Sequence, residues 1–233
     1  MATAMTGADL YEMTTNLLDG ITLDTTLFYQ LLTIVQVRIE SAREWMYLRK
    51  QDTTGTVLQS NTFKNALSMP SNFLFWQSDC PITLVNPNNT NDFLDSFNEV
   101  PVSKLVSYQF QSYKYAVDYP NSILYIAGTV DKTYTIYKNY IYKPDDVTET
   151  TSWAFPAQFH GLLAYAVAAL QKGGIDFDDQ NARMAGDNAA TVQSIYQAMI
   201  DWDSRLQEQS LEGVDRGYDG TRPWITSHIS FND

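Results

Sequence analysis

A chain of 233 residues is long enough to bury a sizeable core, as one domain or as one core carrying an insertion. Its apolar fraction of 44% holds no run of bilayer-spanning length, and its single cysteine, Cys80, excludes an internal disulfide and a cysteine-rich metal site. The net charge of −12 has the wrong sign for tight, sequence-blind DNA binding; it reads most simply as solubility, although an acidic wall also lets DNA slide past without sticking.

Residues Met1 to Leu10 lack both a basic start and an apolar stretch, so no secretory leader is expected. A short helix is predicted over about Asp9 to Leu18, closed by Gly20. The first strong helix is predicted from Thr25 to Lys50. Asp24 is a good N-cap, and Leu23 can staple onto Phe28 across it. Phe28, Leu32, Val35, Ile39, Ala42 and Met46 then alternate steps of four and three, making one apolar seam that Leu31, Ile34 and Trp45 widen. Arg49 and Lys50 suit the negative end of a helix dipole.

From about Gln51 to Ser152 the period changes, and Pro70, Pro81, Pro87, Pro101 and Pro120 punctuate the chain. Short β-like runs cover Ile82 to Val85, Val106 to Tyr119, Ser122 to Ala127 and Thr133 to Tyr142, with Gly128 to Lys132 as a hairpin connection. The last run places Tyr134, Ile136, Lys138, Tyr140 and Tyr142 on one side of a strand.

Helical patterning returns at Pro156, a first-turn proline behind an extended Phe155. Phe159, Leu163, Ala166 and Leu170 recur at helical spacing until Gly173-Gly174, which should stop the run. The intervening alanines leave a thin face that another backbone can approach. A final helix is predicted over about Asp179 to Gln209, opened by Asp176, Asp178 and Asp179. Ala185, Asn188, Val192, Ile195, Met199, Trp202 and Leu206 form its seam. Asn188 either fixes register there or faces solvent. Beyond Leu211 the pattern dissolves, yet Trp224, Ile225, Ile229 and Phe231 leave apolar anchors in a polar tail.

Little in this inventory points to catalysis. The two histidines, His160 and His228, are too few for most zinc or nucleophilic constellations, and His160 on an alanine-rich helix reads as structural or exposed rather than as a base. Asp176-x-Asp178 departs from a calcium loop, with Asn181 at the glycine position and Asp187 at the closing glutamate, so helix capping is the better account. No glycine loop precedes a lysine in the manner that cradles phosphate. Five lysines interleave with tyrosines between Lys104 and Lys143; they suit either a two-faced sheet with guarded edges or a single-stranded nucleic-acid surface, and the sheet is preferred. Two carboxylates would suffice for a glycan hydrolase, and 27 acidic residues single out no pair.

The expected fold class is α+β: an antiparallel α-helical bundle (1–52 plus 153–209), a β-rich insertion (53–152) and an extended C-terminal tail (210–233). A capped helix ending Ala42-Arg43-x-Trp45-x-x-Leu48, a tyrosine-bearing β-rich insert, then Phe155-Pro156-x-x-Phe159-His160-x-Leu162-Leu163-x-Tyr165-Ala166 and a long last helix resembles the head-to-tail adaptor (connector) proteins of tailed bacteriophages. The resemblance implies a non-enzymatic virion protein without cofactor or metal. It would be assembled in the host cytoplasm as a ring, typically of twelve identical subunits, in the capsid–tail neck. Such a ring docks on the portal protein, extends the channel through which DNA passes without specific binding, and offers a platform to the next neck or tail protein, with no membrane involved. By position, the portal-docking residues would be Arg222, Pro223, Trp224, Ile225, Ile229 and Phe231, and the platform contacts Tyr134, Tyr137, Tyr140 and Tyr142. The alternatives are another neck or tail component, such as a stopper or terminator, and the two-carboxylate hydrolase.

Overall fold

The computed structural model describes residues 3–59, 64–108, 113–128, 130–175 and 179–215. Helices α1 (Gly7–Leu18) and α2 (Thr25–Glu40) come first. Ten strands follow: β1 (Arg49–Asp52), β2 (Thr56–Val57), β3 (Lys64–Ser68), β4 (Phe73–Trp76), β5 (Ile82–Asn86), β6 (Asn89–Leu94), β7 (Asn98–Glu99), β8 (Lys114–Asp118), β9 (Ile123–Ala127) and β10 (Tyr134–Tyr142). Helices α3 (Gly161–Ile175) and α4 (Asp179–Asp215) close the series, and short 3-10 turns lie at Met46–Leu48, Val102–Tyr108 and Ala157–Phe159. The chain divides into a helical unit, Met1–Tyr47 with Pro144–Glu208, and a β unit built on Leu48–Lys143.

In the helical unit, α3 packs against both α1 and α2. Thr6 opens α1 with a capping box: its hydroxyl accepts from the Asp9 N–H while the Asp9 carboxylate accepts from the Thr6 N–H. The Thr6 N–H, and the Thr6 hydroxyl donating to the same oxygen, hold the Asp9 carboxyl below the usual carboxylate range. Gly7 then runs so close to the returning chain that a Cβ would land on the Thr148 carbonyl, and its N–H donates to that oxygen at 2.9 Å. Asp24 caps α2 by accepting from the Thr26 and Leu27 N–H groups. At the far end of α1, the buried Lys172 ammonium of α3 donates to the Leu17 carbonyl at 2.6 Å, satisfying a helix-terminal acceptor. Burial pushes the Lys172 ammonium down, against the pull of Asp19.

The β unit holds two sheets. One is six-stranded, in the order β1-β10-β5-β6 with β2 and β4 also paired to β10; the other is four-stranded, β3-β9-β8-β7. Only the β7–β8 pair is parallel among the described strands. Trp76, Ile82, Leu84, Ile136 and Tyr140 from the first sheet meet Tyr115, Val117, Leu124 and Ile126 from the second in one hydrophobic core. β10 is the organising strand because its alternation is nearly all apolar or satisfied. Its one buried cation, Lys138, reaches Asp52 at 2.6 Å and the Ser68 carbonyl at 3.0 Å.

This arrangement corrects the expected fold class. The protein is a mixed α+β chain with two separate sheets, neither of them a closed barrel, rather than an antiparallel helical bundle with a β-rich insertion; of the expected tail, 216–233 lie outside the described residues. The first long helix ends at Glu40, not at Lys50. Ser41 turns back on Val37, and the Trp45 indole donates to the Ile39 carbonyl at 2.8 Å, plugging the helix end. Arg49 and Lys50, expected as helix-terminal cations, are instead in β1, paired with Ile141 and Tyr140. Gly128 to Lys132 is no hairpin connection, since β9 belongs to the four-stranded sheet and β10 to the six-stranded one. Much of the expected run from Val106 to Tyr119 is irregular, with a 3-10 turn to Tyr108 and a strand only from Lys114. α3 ends at Ile175, one residue past Gly173-Gly174, whereas α4 continues to Asp215, through the first residues of the expected tail.

Candidate assembly site

The residues that carry the two sequence motifs converge within the helical unit. Arg43 and Trp45 follow α2, Trp153 and Phe155 lie on the returning segment, Phe159 and His160 lead into α3, and Tyr196 and Trp202 come from α4. Trp45 packs edge-on to Phe155 (5.4 Å between ring centroids) and to Tyr196 (6.0 Å), Trp153 meets Phe155 at 4.6 Å, and Phe159 meets Trp202 at 5.5 Å. Each such pair adds about 0.5–1.5 kcal/mol beyond its buried area. Four chain segments far apart in sequence are thereby fixed to one aromatic node.

Two polar devices lock the node. Asp203, fully buried on α4, accepts from the Met46 N–H at 2.7 Å and pairs with Arg43 at 3.1 Å. The Arg43 guanidinium also lies 5.1 Å from the centre of the Trp45 ring. On the other side, the buried Glu40 carboxylate accepts from the Gln36 amide and from the Trp153 indole, both at 2.9 Å. Gln36 in turn donates to the Asp145 carbonyl and accepts from the Val147 N–H, tying α2 to the returning segment. His160 is a staple of the same kind. Its Nδ1 accepts from the Met5 N–H at 3.0 Å, so Nε2 carries the proton and donates to the Phe155 carbonyl at 2.7 Å. Both ring nitrogens are occupied in a side chain 1% exposed, which leaves neither for proton transfer to a ligand.

Beside the node an apolar groove of about 650 Å³ opens between three helices. Leu162, Ala166 and Ala169 of α3 form its floor and one side, with Gly186, Ala189, Val192 and Tyr196 of α4 and Val35 and Ile39 of α2 as the walls. Arg38 stands at its edge. The outer side of α2 is unusually apolar as well: Leu27, Ile34 and Val37 are 36%, 46% and 38% exposed, and the helix has no exposed carboxylate. Elsewhere the helical unit is strongly acidic, with sixteen Asp and Glu against five Lys and Arg, whereas the segment Leu48–Lys143 has seven against eight.

Of the tyrosines expected as platform contacts, Tyr134 and Tyr140 are core residues of the β unit, with hydroxyls donating to Asp131 and to the Asn72 side chain. Burial pushes both phenols up. Tyr137 and Tyr142 are half-buried, and the Lys50 ammonium sits 3.8 Å from the centre of the Tyr142 ring. Arg222, Pro223, Trp224, Ile225, Ile229 and Phe231 lie outside the described residues, as does the Asp176-x-Asp178 pair. Asn188 is buried on α4. Cys80 is buried against Thr83, and burial raises its thiol, the opposite of what a nucleophile needs. Among the described residues no group of three or more His, Cys, Asp or Glu could hold a metal ion, and no helix is long and apolar enough to cross a membrane.

Sequence reasoning missed Asp203, Gln36 and Glu40. The available signal was a polar residue beside an apolar seam in each case: Asp203 next to Trp202, and Gln36 and Glu40 next to Val35 and Ile39. No protein-family model matches the chain, and no curated protein matches it.

Proposed function

We propose that the protein is a structural component of a tailed-phage neck: a head-to-tail adaptor that acts by shape and burial rather than by catalysis. Identical subunits, typically twelve, form a ring beneath the portal protein, extend the DNA channel and present a platform to the next neck or tail protein. The observation that carries this reading is the convergence of Arg43, Trp45, Phe155, Phe159 and His160, the residues of the family resemblance, on one interlocked node. In an adaptor those residues would hold the helical scaffold on which the ring is built.

Charge supports the same reading. The acid excess resides in the helical unit, so that unit is the one suited to border the DNA path, where like charge prevents retention. The β unit, close to neutral, is then free to serve as the platform. The test is electron microscopy of the purified chain mixed with the portal of the same phage. The expected image is a ring of subunits capping each portal. Bare portals beside free monomers would overturn the reading.

A further inference from the structure

The segment before α1 is tied to the body of the helical unit through a histidine. The Met5 N–H donates to His160 Nδ1 at 3.0 Å, and His160 Nε2 donates to the Phe155 carbonyl at 2.7 Å, in a buried ring whose centroid lies 6.3 Å from that of Trp153. Only the neutral imidazole fits this pair of partners, because one nitrogen must accept while the other donates. A second proton, on Nδ1, would point at the Met5 N–H: two donors face to face, one of them charged and buried. The charged groups on the elements around the ring are engaged elsewhere or exposed. On α1, Asp9 accepts from Thr6 and Glu12 is exposed; on the returning segment, Glu149 is exposed. On α2, Glu40 accepts from Gln36 and from the Trp153 indole; on α3, Lys172 donates to the Leu17 carbonyl; and Arg43 pairs with Asp203 of α4. Tyrosine phenols stay neutral wherever histidines titrate. Among the described residues no charged side chain is hydrogen-bonded to His160.

We infer that His160 is an acid-opened latch on the segment before α1: protonation of Nδ1 displaces the Met5 N–H and frees Thr3 to Met5, while α1 itself stays docked. Thr3 and Ala4 are already exposed, and Met5 is half-buried. From Thr6 onward the chain is held by groups that do not titrate with an imidazole. Thr6 bridges to Ser152, the Gly7 N–H donates to the Thr148 and Thr151 carbonyls at 2.9 and 3.2 Å, and the Ala8 N–H donates to the Glu149 carbonyl at 3.2 Å. The capping box survives as well, since the Asp9 carboxyl is held below the usual carboxylate range and stays ionised in mild acid. The moving part therefore ends at Thr6. In the opened state Nε2 keeps the Phe155 carbonyl, and the Nδ1 proton is left to water that enters where the Met5 amide stood. The latch operates within one subunit, whether or not the chain forms a ring.

Nuclear magnetic resonance on the isotope-labelled full chain tests the latch, with two histidines to resolve and His228→Gln to tell them apart. Between about pH 8 and about pH 5 the order parameters of the Ala4 and Met5 amides are expected to fall from about 0.85 to below about 0.6. The fall should track the His160 ring signals, while the amides of Leu10 to Leu18 hold. His160→Asn offers an uncharged acceptor near the Nδ1 position and takes up no proton, so its Met5 amide should stay ordered in acid. Should that variant fail to fold, Met5→Pro carries the test, because proline has no N–H to donate. Its Ala4 amide should be as mobile at neutral pH as that of wild type in acid, with no further change on acidification. A wild-type Met5 amide that stays ordered in acid overturns the inference, whether or not His160 has taken up a proton. So does loosening in His160→Asn, which assigns the change to another titrating group. Loss of α1 together with the segment overturns it too, since the event is then unfolding rather than release.

Discussion

Asp203 concentrates the most consequence in one side chain. It accepts from the Met46 N–H, it neutralises Arg43, and it stands on α4 one residue from Trp202. Asp203→Ala removes both interactions and leaves a half-buried guanidinium and a part-buried amide without their acceptor, a change expected to cost about 3–5 kcal/mol. Asp203→Asn keeps an acceptor for the Met46 amide and loses only the ion pair, so its deficit should be smaller. Chemical denaturation followed by tryptophan fluorescence checks the order, because Trp45 and Trp202 both report on the node. An alanine variant within 1 kcal/mol of wild type would show that the aromatic contacts alone hold α4. Gly7 illustrates a different residue-scale constraint: its hydrogen atom is what allows the Thr148 carbonyl to receive the N–H of the first helical turn.

At the scale of elements, helices were readable from the sequence because their signals are local. The Asp24 cap, the Phe28–Leu32–Val35–Ile39 seam and the long seam of α4 all depend on residues within two turns of one another, and α2 and α4 begin where those signals place them. The strands were less legible because their pairing lies far along the chain. Arg49-Lys50-Gln51-Asp52 has no strand character of its own and is extended because β10 offers it a ladder 86 to 92 residues away. The node was half legible: its aromatic motifs stood out, but nothing in a one-dimensional pattern joins Arg43 to Asp203. The β10 element carries a testable charge. Burial alone would raise the Asp52 carboxyl, yet the Lys138 ammonium and Thr54 hold it below the usual carboxylate range. A carboxyl with a lowered folded pKa contributes stability above its unfolded value of about 3.9 and loses that contribution as pH falls through the folded value. Asp52→Asn leaves Lys138 buried without its counter-ion, so the variant should be weaker by about 3 kcal/mol at pH 7, with the gap to wild type narrowing below pH ~4. Urea unfolding of both proteins at pH 7 and pH 3 measures it, and a gap independent of pH would remove the ion pair from the account.

For the whole molecule, the proposed division of labour assigns portal attachment to residues that lie beyond the described ones. The adjacent pair Trp224-Ile225, with Ile229 and Phe231, are large apolar side chains in an otherwise polar stretch, the composition of anchors that fill pockets on a partner. Deleting Thr221 to Asp233 should therefore leave helical content and unfolding unchanged while portal docking is lost. Anchors of this kind are worth about 2 kcal/mol or more each, so the loss of two weakens docking by roughly a thousandfold. Trp224→Ala alone should remove a large share of it, and Asp219→Ala, a nearby polar truncation, very little. Co-sedimentation of each variant with portal rings gives the comparison. A deletion variant that sediments with the portal as wild type does would move the anchor into the folded units.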